Sequence, residues 1–121
     1  MRKFFSRPIT MDYNYYADYV LKHYRAEGNL YPCLLPNYDH SPRSAHRGVI
    51  ITNSNPTNWG KLCRDVFEMT KIRPAEDNLV FIKAWNEWGE GNYLEPDLKF
   101  DRGYLEALKK AKEGITNSVT L

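Results

Sequence analysis

The sequence predicts an α/β fold on three observations: amphipathic helices, short apolar strands between them, and the order in which they alternate. Apolar residues recur at helical spacing over residues 12–28, 57–71 and 101–114. Fully apolar runs typical of buried parallel strands lie at 30–35, at 48–52 and at the start of 80–97. The order helix, strand, strand, helix, strand, helix is that of successive βα units, in which helices cover a parallel sheet.

The first helix is expected to begin after Asp12, because an aspartate side chain suits the N-cap position, and to end at Gly28. Its apolar face is largely aromatic and consists of Tyr13, Tyr16, Ala17, Val20, Leu21 and Tyr24. The segment LYPCLL (30–35) that follows is short, apolar and bounded by Pro36. It is therefore predicted to be a buried strand rather than a second helix.

Two further strands and two further helices are predicted in the rest of the chain. GVIIT (48–52) is rich in β-branched residues and VFIKAW (80–85) begins with an apolar run, so both are predicted strands. The helix over 57–71 presents one apolar face, made of Trp59, Leu62, Cys63, Val66, Phe67 and Thr70. The last helix is expected to be capped by Asp101 and terminated by Gly114.

Composition and charge exclude several classes of partner. The 121 residues carry 17 basic and 15 acidic side chains, a net charge of +2, without a basic stripe of the kind that binds nucleic acid. No apolar run reaches the about 18 residues of a membrane span, and MRKFFSRPITMDYNYY lacks the apolar core of a signal peptide. We therefore expect a cytoplasmic protein. The two cysteines, Cys33 and Cys63, are too few for a disulfide framework and are expected to be buried thiols.

The chain is short for the architecture that its pattern suggests. A closed (β/α)8 barrel needs about 250 residues, whereas this chain supplies two or three strands and three helices. The pattern leaves two alternatives: a small open α/β layer, or one part of a larger domain. Residues 115–121 carry no clear pattern and are expected to form a frayed tail.

The segment VFIKAWNEWGEGNYLEPD (80–97) holds the residues best suited to chemistry. Glu87 and Glu90 follow a predicted strand, which is where parallel α/β folds place catalytic groups. Two carboxylates in different surroundings suit a reaction that needs one acid protonated and one ionised, and glycoside chemistry is the commonest such task. The neighbouring side chains fit a sugar, since indoles pack against its C–H face and amides bond its hydroxyls: Trp85, Trp88, Asn86 and Asn92.

Other interpretations of these residues remain open from the spacing alone. The segment would equally fit a solvated acidic turn whose tryptophans fill the core. A metal site built from Asp39, His40 and His46 lacks the helical spacing and the third clear ligand of known sites. A calcium site is disfavoured because the acidic spacing matches no known loop, over Glu90, Glu95, Asp97 and Asp101. Neither a metal nor a cofactor is therefore expected.

Two motifs carry a family resemblance. LVFIKAWNEWGEGNYLEPDLKFDRGYLEAL (79–108) resembles the C-terminal signature of the WbsX-like glycosyltransferase family of bacterial polysaccharide gene clusters, which is related to glycoside hydrolase family 99. YDHSPR (38–43) matches a second motif, an aromatic residue and an aspartate followed by a polar residue, Ser or Thr, Pro and Arg. The resemblance implies that residues 1–121 form the C-terminal portion of a (β/α)8 TIM-type barrel, incomplete in this chain. The missing N-terminal part would then be a partner.

The resemblance also implies roles for individual residues. In the related hydrolases, the first glutamate of N-E-W-x-E-G acts as a base on the sugar's 2-hydroxyl, so that O2 attacks the anomeric carbon and a 1,2-anhydro sugar forms. The second glutamate is the general acid and then the base. By motif position these are Glu87 and Glu90. Tyr38 is an implied substrate contact, and Asp39 and Arg43 are interpreted as a loop-fixing or sugar-binding pair, with a surface salt bridge as the alternative.

Three positions depart from the family's pattern. Tyr38 and His40 stand where the family more often has Trp and Asn, and Lys83 stands where it often has Asn. The implied function is glycosyl transfer or glycoside hydrolysis on an oligosaccharide or sugar, in bacterial lipopolysaccharide or capsular polysaccharide metabolism. The alternative is a non-catalytic truncated fragment or a glycan-binding module, because an open piece of a barrel rarely supplies the shell that holds catalytic groups in place.

Overall fold

Helices and short strands alternate along residues 7–118, the part of the chain that the computed structural model describes. The helices are α1 (Tyr13–His23), α2 (Ser41–Ser44), α3 (Pro56–Thr70) and α4 (Gly103–Ser118). The strands are β1 (Ile9–Asp12), β2 (Cys33–Leu34), β3 (Val49–Thr52), β4 (Phe81–Ile82), β5 (Asn86–Glu87) and β6 (Asn92–Tyr93). The prediction of a mixed α/β fold is confirmed.

The strands form three separate pairs among the described residues. β1 is parallel to β3, β2 is parallel to β4, and β5 and β6 form an antiparallel hairpin. The second edge of β3 bonds to the segment 38–40, through Ile51 N to Tyr38 O at 2.8 Å and His40 N to Val49 O at 2.9 Å. These pairs do not close into a barrel over residues 7–118.

The beginning of α1 follows the sequence prediction, but its end does not. The Asp12 carboxylate accepts a hydrogen bond from Asn14 N at 2.8 Å and caps the helix as expected. The helix ends at His23, because Tyr24 turns into an extended conformation and packs into the interior. Gly28, the predicted terminator, lies in the turn beyond, with a positive φ of 55°.

The core lies mainly between α3 and α4, where the chain packs most closely. Asn55 caps α3 by accepting a bond from Asn58 N, and the Trp59 indole donates to Tyr104 O at 3.1 Å. A Cβ on Gly60 would lie 3.2 Å from the Ala107 Cβ. The buried residues of this core cluster are Tyr13, Leu34, Ile51, Trp59, Leu62, Cys63, Val66, Leu94, Tyr104 and Ala111.

Two predictions about the chain's end and its thiols are corrected. α4 continues through Gly114 to Ser118, so a frayed tail from 115 is wrong, and residues 119–121 lie outside the described part. A single helical glycine costs only about 1 kcal/mol, which the packing of the helix outweighs. Cys63 is buried as predicted, and burial raises the pKa of its thiol, but Cys33 is exposed.

Three strands were missed by the sequence analysis. β1 has the sequence ITMD, which is too short and too polar to signal a strand, and pairing with β3 determines its conformation. β5 and β6 have two residues each and carry polar side chains. Such short strands are stabilised by pairing with their partner strands rather than by the strand propensity of their own residues.

Arg73 joins the end of α3 to the turn that follows α1. Its guanidinium is almost completely buried and donates to the carbonyl oxygens of Glu27, Gly28 and Leu30 at 2.6–3.1 Å. It also donates to the Asp77 carboxylate at 2.8 Å. One side chain thus satisfies three backbone acceptors of a segment that has no regular structure.

We expect Arg73→Ala to lower the thermal midpoint of unfolding strongly, because three carbonyl groups and a carboxylate lose their donor. The matched control is Lys71→Ala, which removes an exposed pair with Glu68 on the same helix end and should leave the midpoint nearly unchanged. Differential scanning calorimetry of both variants measures the effect. Equal midpoints would contradict the anchoring role of Arg73.

The α3–α4 contact makes a second prediction. Gly60→Val should lower the free energy of unfolding by about 1–3 kcal/mol, since new methyl groups enter a filled interface. Gly114→Val, where no described atom lies within 4 Å of the new Cβ, should change it by less than about 0.5 kcal/mol. Urea denaturation of the two variants provides the comparison, and a similar cost at both glycines would refute the packing argument.

Candidate functional site

The candidate site lies on the polypeptide that leaves β4. Lys83 and Trp85 follow the strand, Glu87 lies in β5, and Glu90 ends a 3-10 turn over Trp88–Glu90. β6 then returns the chain, with Asn86 paired with Tyr93 across the hairpin. The hairpin places both carboxylates at the carboxyl end of a parallel strand, as the sequence analysis predicted from the order of elements.

Two buried amides fix this hairpin against the chain that leaves β2. The Asn92 side-chain nitrogen donates to Asn37 O at 2.7 Å and to Lys83 O at 2.8 Å. The Asn37 side chain donates to Tyr93 O at 3.1 Å and accepts from Tyr93 N at 2.8 Å. Asn92 has no solvent-exposed surface, so in this arrangement it supports the hairpin and offers nothing to a sugar.

The turn between the carboxylates contacts the 38–43 segment directly. Asp39 N donates to Glu90 O at 2.9 Å, and Gly91 adopts a left-handed φ of 52°. A Cβ on Gly91 would lie only 2.9 Å from the Asp39 Cβ. The Asp39 carboxylate accepts from both the backbone nitrogen and the hydroxyl of Ser41, so it fixes its own loop.

Each glutamate of the pair faces a cation from another part of the chain. Arg43 Nη2 lies 3.5 Å from Glu87 Oε1, and Lys83 Nζ lies 3.0 Å from Glu90 Oε2. Arg43 therefore faces Glu87 rather than Asp39, the partner considered from the sequence. Its guanidinium also lies over Gly89, where a Cβ would approach Nη2 to 2.5 Å.

The charges act on the two partners of the Lys83–Glu90 pair in opposite directions. The hydrogen bond from Lys83 lowers the pKa of Glu90 below 4.5, although desolvation opposes it. The same bond raises the pKa of the Lys83 ammonium. Glu90 is thus an ionised carboxylate in this arrangement, whereas the acid role implied by the resemblance needs a proton on it.

Aromatic side chains lie on the same segments as the carboxylates. Trp88 stacks on Tyr93 with ring centroids 3.8 Å apart, and Trp85 and Trp88 remain 54% and 45% exposed. Tyr38 lies beneath Lys83, whose Nζ is 5.5 Å from the ring centroid. Exposed indoles beside carboxylates provide both a packing surface and hydrogen-bond acceptors for a sugar. Asn86 is exposed on β5 and is the amide of the motif that a ligand can reach.

Two features of the site escaped the sequence analysis. Lys83 was noted only as a departure from the family's pattern, and its contact with Glu90 spans seven residues across a turn. Asn37 carried no signal except its position after a proline at the end of an apolar run. Both contacts depend on how the chain folds back, which local spacing does not encode.

Residues 7–118 contain neither a cluster of metal ligands nor a membrane-spanning helix. No group of three or more His, Cys, Asp or Glu side chains gathers there as a metal site would require. No helix in that range combines the length and the apolar character needed to cross a bilayer.

Comparison with known proteins places the chain in a family. A family profile described as Glycosyltransferase WbsX matches residues 1–108. The chain belongs to the WbsX glycosyltransferase family. The resemblance in the two motifs is thereby confirmed, and the family is one of carbohydrate-active proteins.

The chain also matches two curated relatives. Both are named "Uncharacterized protein WxcX" and come from two strains of Xanthomonas campestris pv. campestris, and each is 37% identical over 83 residues. The aligned part makes up 68% of this chain and 12% of the relatives' length. No significant match to a solved structure was found.

The turn at Gly91 makes a testable prediction. Gly91→Ala should destabilise the protein by about 2–3 kcal/mol, because the left-handed backbone costs about 1–2 kcal/mol and the new methyl group collides with Asp39. Gly28→Ala is the matched control, since it has a similar φ of 55° and open space around its Cβ. Chemical denaturation should show the smaller cost for Gly28→Ala, and identical costs would argue against the Asp39 contact.

Proposed function

We propose that this chain supplies the acid/base pair of a site that transfers or hydrolyses glycosyl groups, with Glu87 and Glu90 as the catalytic residues. One observation carries the proposal: both carboxylates lie on one hairpin at the carboxyl end of β4, each beside a cation and next to exposed indoles. Membership of the WbsX family supports the carbohydrate substrate. The setting is bacterial lipopolysaccharide or capsular polysaccharide metabolism in the cytoplasm.

The proposed reaction divides the proton transfers between the two glutamates. Glu87 takes the proton of the sugar's 2-hydroxyl, O2 attacks the anomeric carbon, and the glycosidic bond breaks as Glu90 gives a proton to the leaving oxygen. Glu90 then takes a proton from the hydroxyl that attacks the anomeric carbon, the C1–O2 bond of the 1,2-anhydro ring breaks, and Glu87 returns its proton to O2. Because that hydroxyl belongs equally well to water or to an acceptor sugar, the proposal covers hydrolysis and transfer.

The remaining residues are assigned to binding or support. Trp85 and Trp88 offer the packing surface and Asn86 the hydrogen bonds, while Tyr38 and Arg43 border the carboxylates from the 38–43 segment. Asp39 and Asn92 act through the loop, since their polar groups bond to the chain itself.

We further propose that the chain is the C-terminal portion of a (β/α)8 barrel. The parallel pair of β2 and β4 leaves outer edges unpaired among the described residues, and isolated two-stranded sheets are marginal in water. An apolar cavity of about 500 Å³ lies beside β4, lined in part by Phe67, Leu79, Val80, Ile82 and Leu108. An N-terminal barrel part that adds strands here would cover both.

The same open edge favours the second candidate, a glycan-binding module without turnover. Catalytic groups need a supporting shell that holds them to within about 0.5 Å, and Glu87 is 42% exposed in this chain. Binding of a sugar to the indoles needs less precise positioning of the side chains than catalysis does. The two candidates differ in whether the carboxylates are required for turnover.

The experiment measures turnover and binding of bacterial surface oligosaccharides by the chain, alone and together with the N-terminal part of a WbsX barrel. Glu87→Gln and Glu90→Gln should each lower turnover by about 100-fold or more, because each removes a proton-transfer group. Tryptophan fluorescence should show that sugar binding survives in both variants.

Glu95→Gln is the control, since Glu95 follows the same hairpin and makes its recorded contact through the backbone. Its turnover should equal that of the unaltered protein. Binding without turnover in every form would support the module, and full turnover in Glu90→Gln would exclude the assigned pair.

A further inference from the structure

The pair of Lys83 and Glu90 joins the end of β4 to the turn of the hairpin, whereas the pair of Lys61 and Asp65 joins two positions on one helix. Lys83 N donates to Leu34 O at 3.0 Å and Lys83 O accepts from Asn92, so the lysine backbone is bonded on both sides. Glu90 O accepts from Asp39 N at 2.9 Å. Both side chains therefore start from fixed points.

The exposure and confinement of its side chains decide how much a surface pair contributes. An exposed pair usually contributes little, because two long side chains lose freedom to meet in one geometry. The Glu90 side chain is only 22% exposed, and the Lys83 ammonium is further confined above the Tyr38 ring. The two side chains therefore lose less conformational freedom when they pair, and the contact keeps its geometry better than an ordinary ion pair on a helix surface.

Other charges face the same carboxylate from the neighbouring segment. His40 and Arg43 of the 38–43 segment also favour the ionised form of Glu90, but with smaller effects than Lys83. Glu87 and Tyr38 face Lys83 and favour its protonated form. Lys83 is thus the dominant cation at Glu90, at a donor–acceptor distance of 3.0 Å.

We propose that Lys83 is a positioning residue that holds Glu90 as an oriented carboxylate in the free site. This is the form of Glu90 that accepts a proton when the 1,2-anhydro ring opens. The catalytic meaning of this inference rests on the proposed function. Donation of a proton by Glu90 to a leaving oxygen then requires that substrate binding breaks the Lys83 contact, because a carboxylate held by an ammonium does not retain a proton.

The test is a carboxyl titration of the 121-residue chain by carbon-13 NMR, with labelled glutamate and with Glu90→Gln used to assign the Glu90 signal. In the unaltered chain the Glu90 midpoint should lie below the ordinary value of 4.5. Lys83→Met, which keeps the length of the side chain and removes its charge, should move the midpoint upward. Lys83→Arg should restore the lower value, since it returns the cation.

Lys61→Met is the matched control. It removes an ion pair with the same 3.0 Å separation, to Asp65 on the surface of α3, and should leave the Glu90 midpoint unchanged. If Lys83→Met fails to fold, added salt applied to the unaltered chain should raise the Glu90 midpoint, because it screens this partly exposed contact. An unchanged Glu90 midpoint in folded Lys83→Met, or no response to salt, would overturn the inference.

A second measurement connects the pair to the reaction. In a form that turns over sugar, Lys83→Met should move the basic limb of the kcat/KM pH profile to higher pH, because the raised pKa keeps Glu90 protonated, as the general acid must be, up to a higher pH. The two proposals fail separately. If no form shows turnover, the proposed function is wrong, but the NMR result for Glu90 still holds. If turnover is found but the Glu90 midpoint does not move in Lys83→Met, only the role of Lys83 is wrong.

Discussion

Four hydrogen bonds between two buried amides and the backbone hold the ends of three strands together. Asn92 bridges the carbonyl groups of Asn37 and Lys83, and Asn37 pairs with both backbone groups of Tyr93. These bonds satisfy both polar groups of the Asn37 side chain and the nitrogen of the Asn92 side chain, while the buried Asn92 Oδ1 has no hydrogen-bond partner among the described residues. Because these bonds join the ends of β2 and β4 to β6, the position of the hairpin, and with it the position of both glutamates, depends on them.

The charges of the site follow from that framework. The 38–43 segment reaches the hairpin because β3 holds it on one side and the turn at Gly91 on the other. Arg43 and Lys83 then approach the two carboxylates from different directions. Neither cation is adjacent in sequence to its partner, so the electrostatic state of the pair is a property of the assembled loops.

The parallel strands are only partly covered by the described residues. Parallel sheets are stable when helices cover both faces and further strands pair with their edges. Here α3 and α4 supply one well-packed layer around Trp59, while Phe81 of β4 is 55% exposed and the cavity beside the strand is apolar. The cavity lies between β4 and residues of α3 and α4, so the described residues leave this face of the strand partly uncovered.

The sequence by itself determined the alternation of helices and strands, the cap at Asp12, and the motif that carries Glu87 and Glu90. These features are local: they depend on periodicity, on side-chain capping and on the order of residues in a short segment. The tertiary structure alone decided that Asn92 is buried, that Arg43 faces Glu87, that Lys83 reaches Glu90, and that α1 ends before Gly28. Each of these outcomes depends on contacts between segments that are distant in sequence. Local sequence patterns do not show which distant segments will meet or how strongly they will interact.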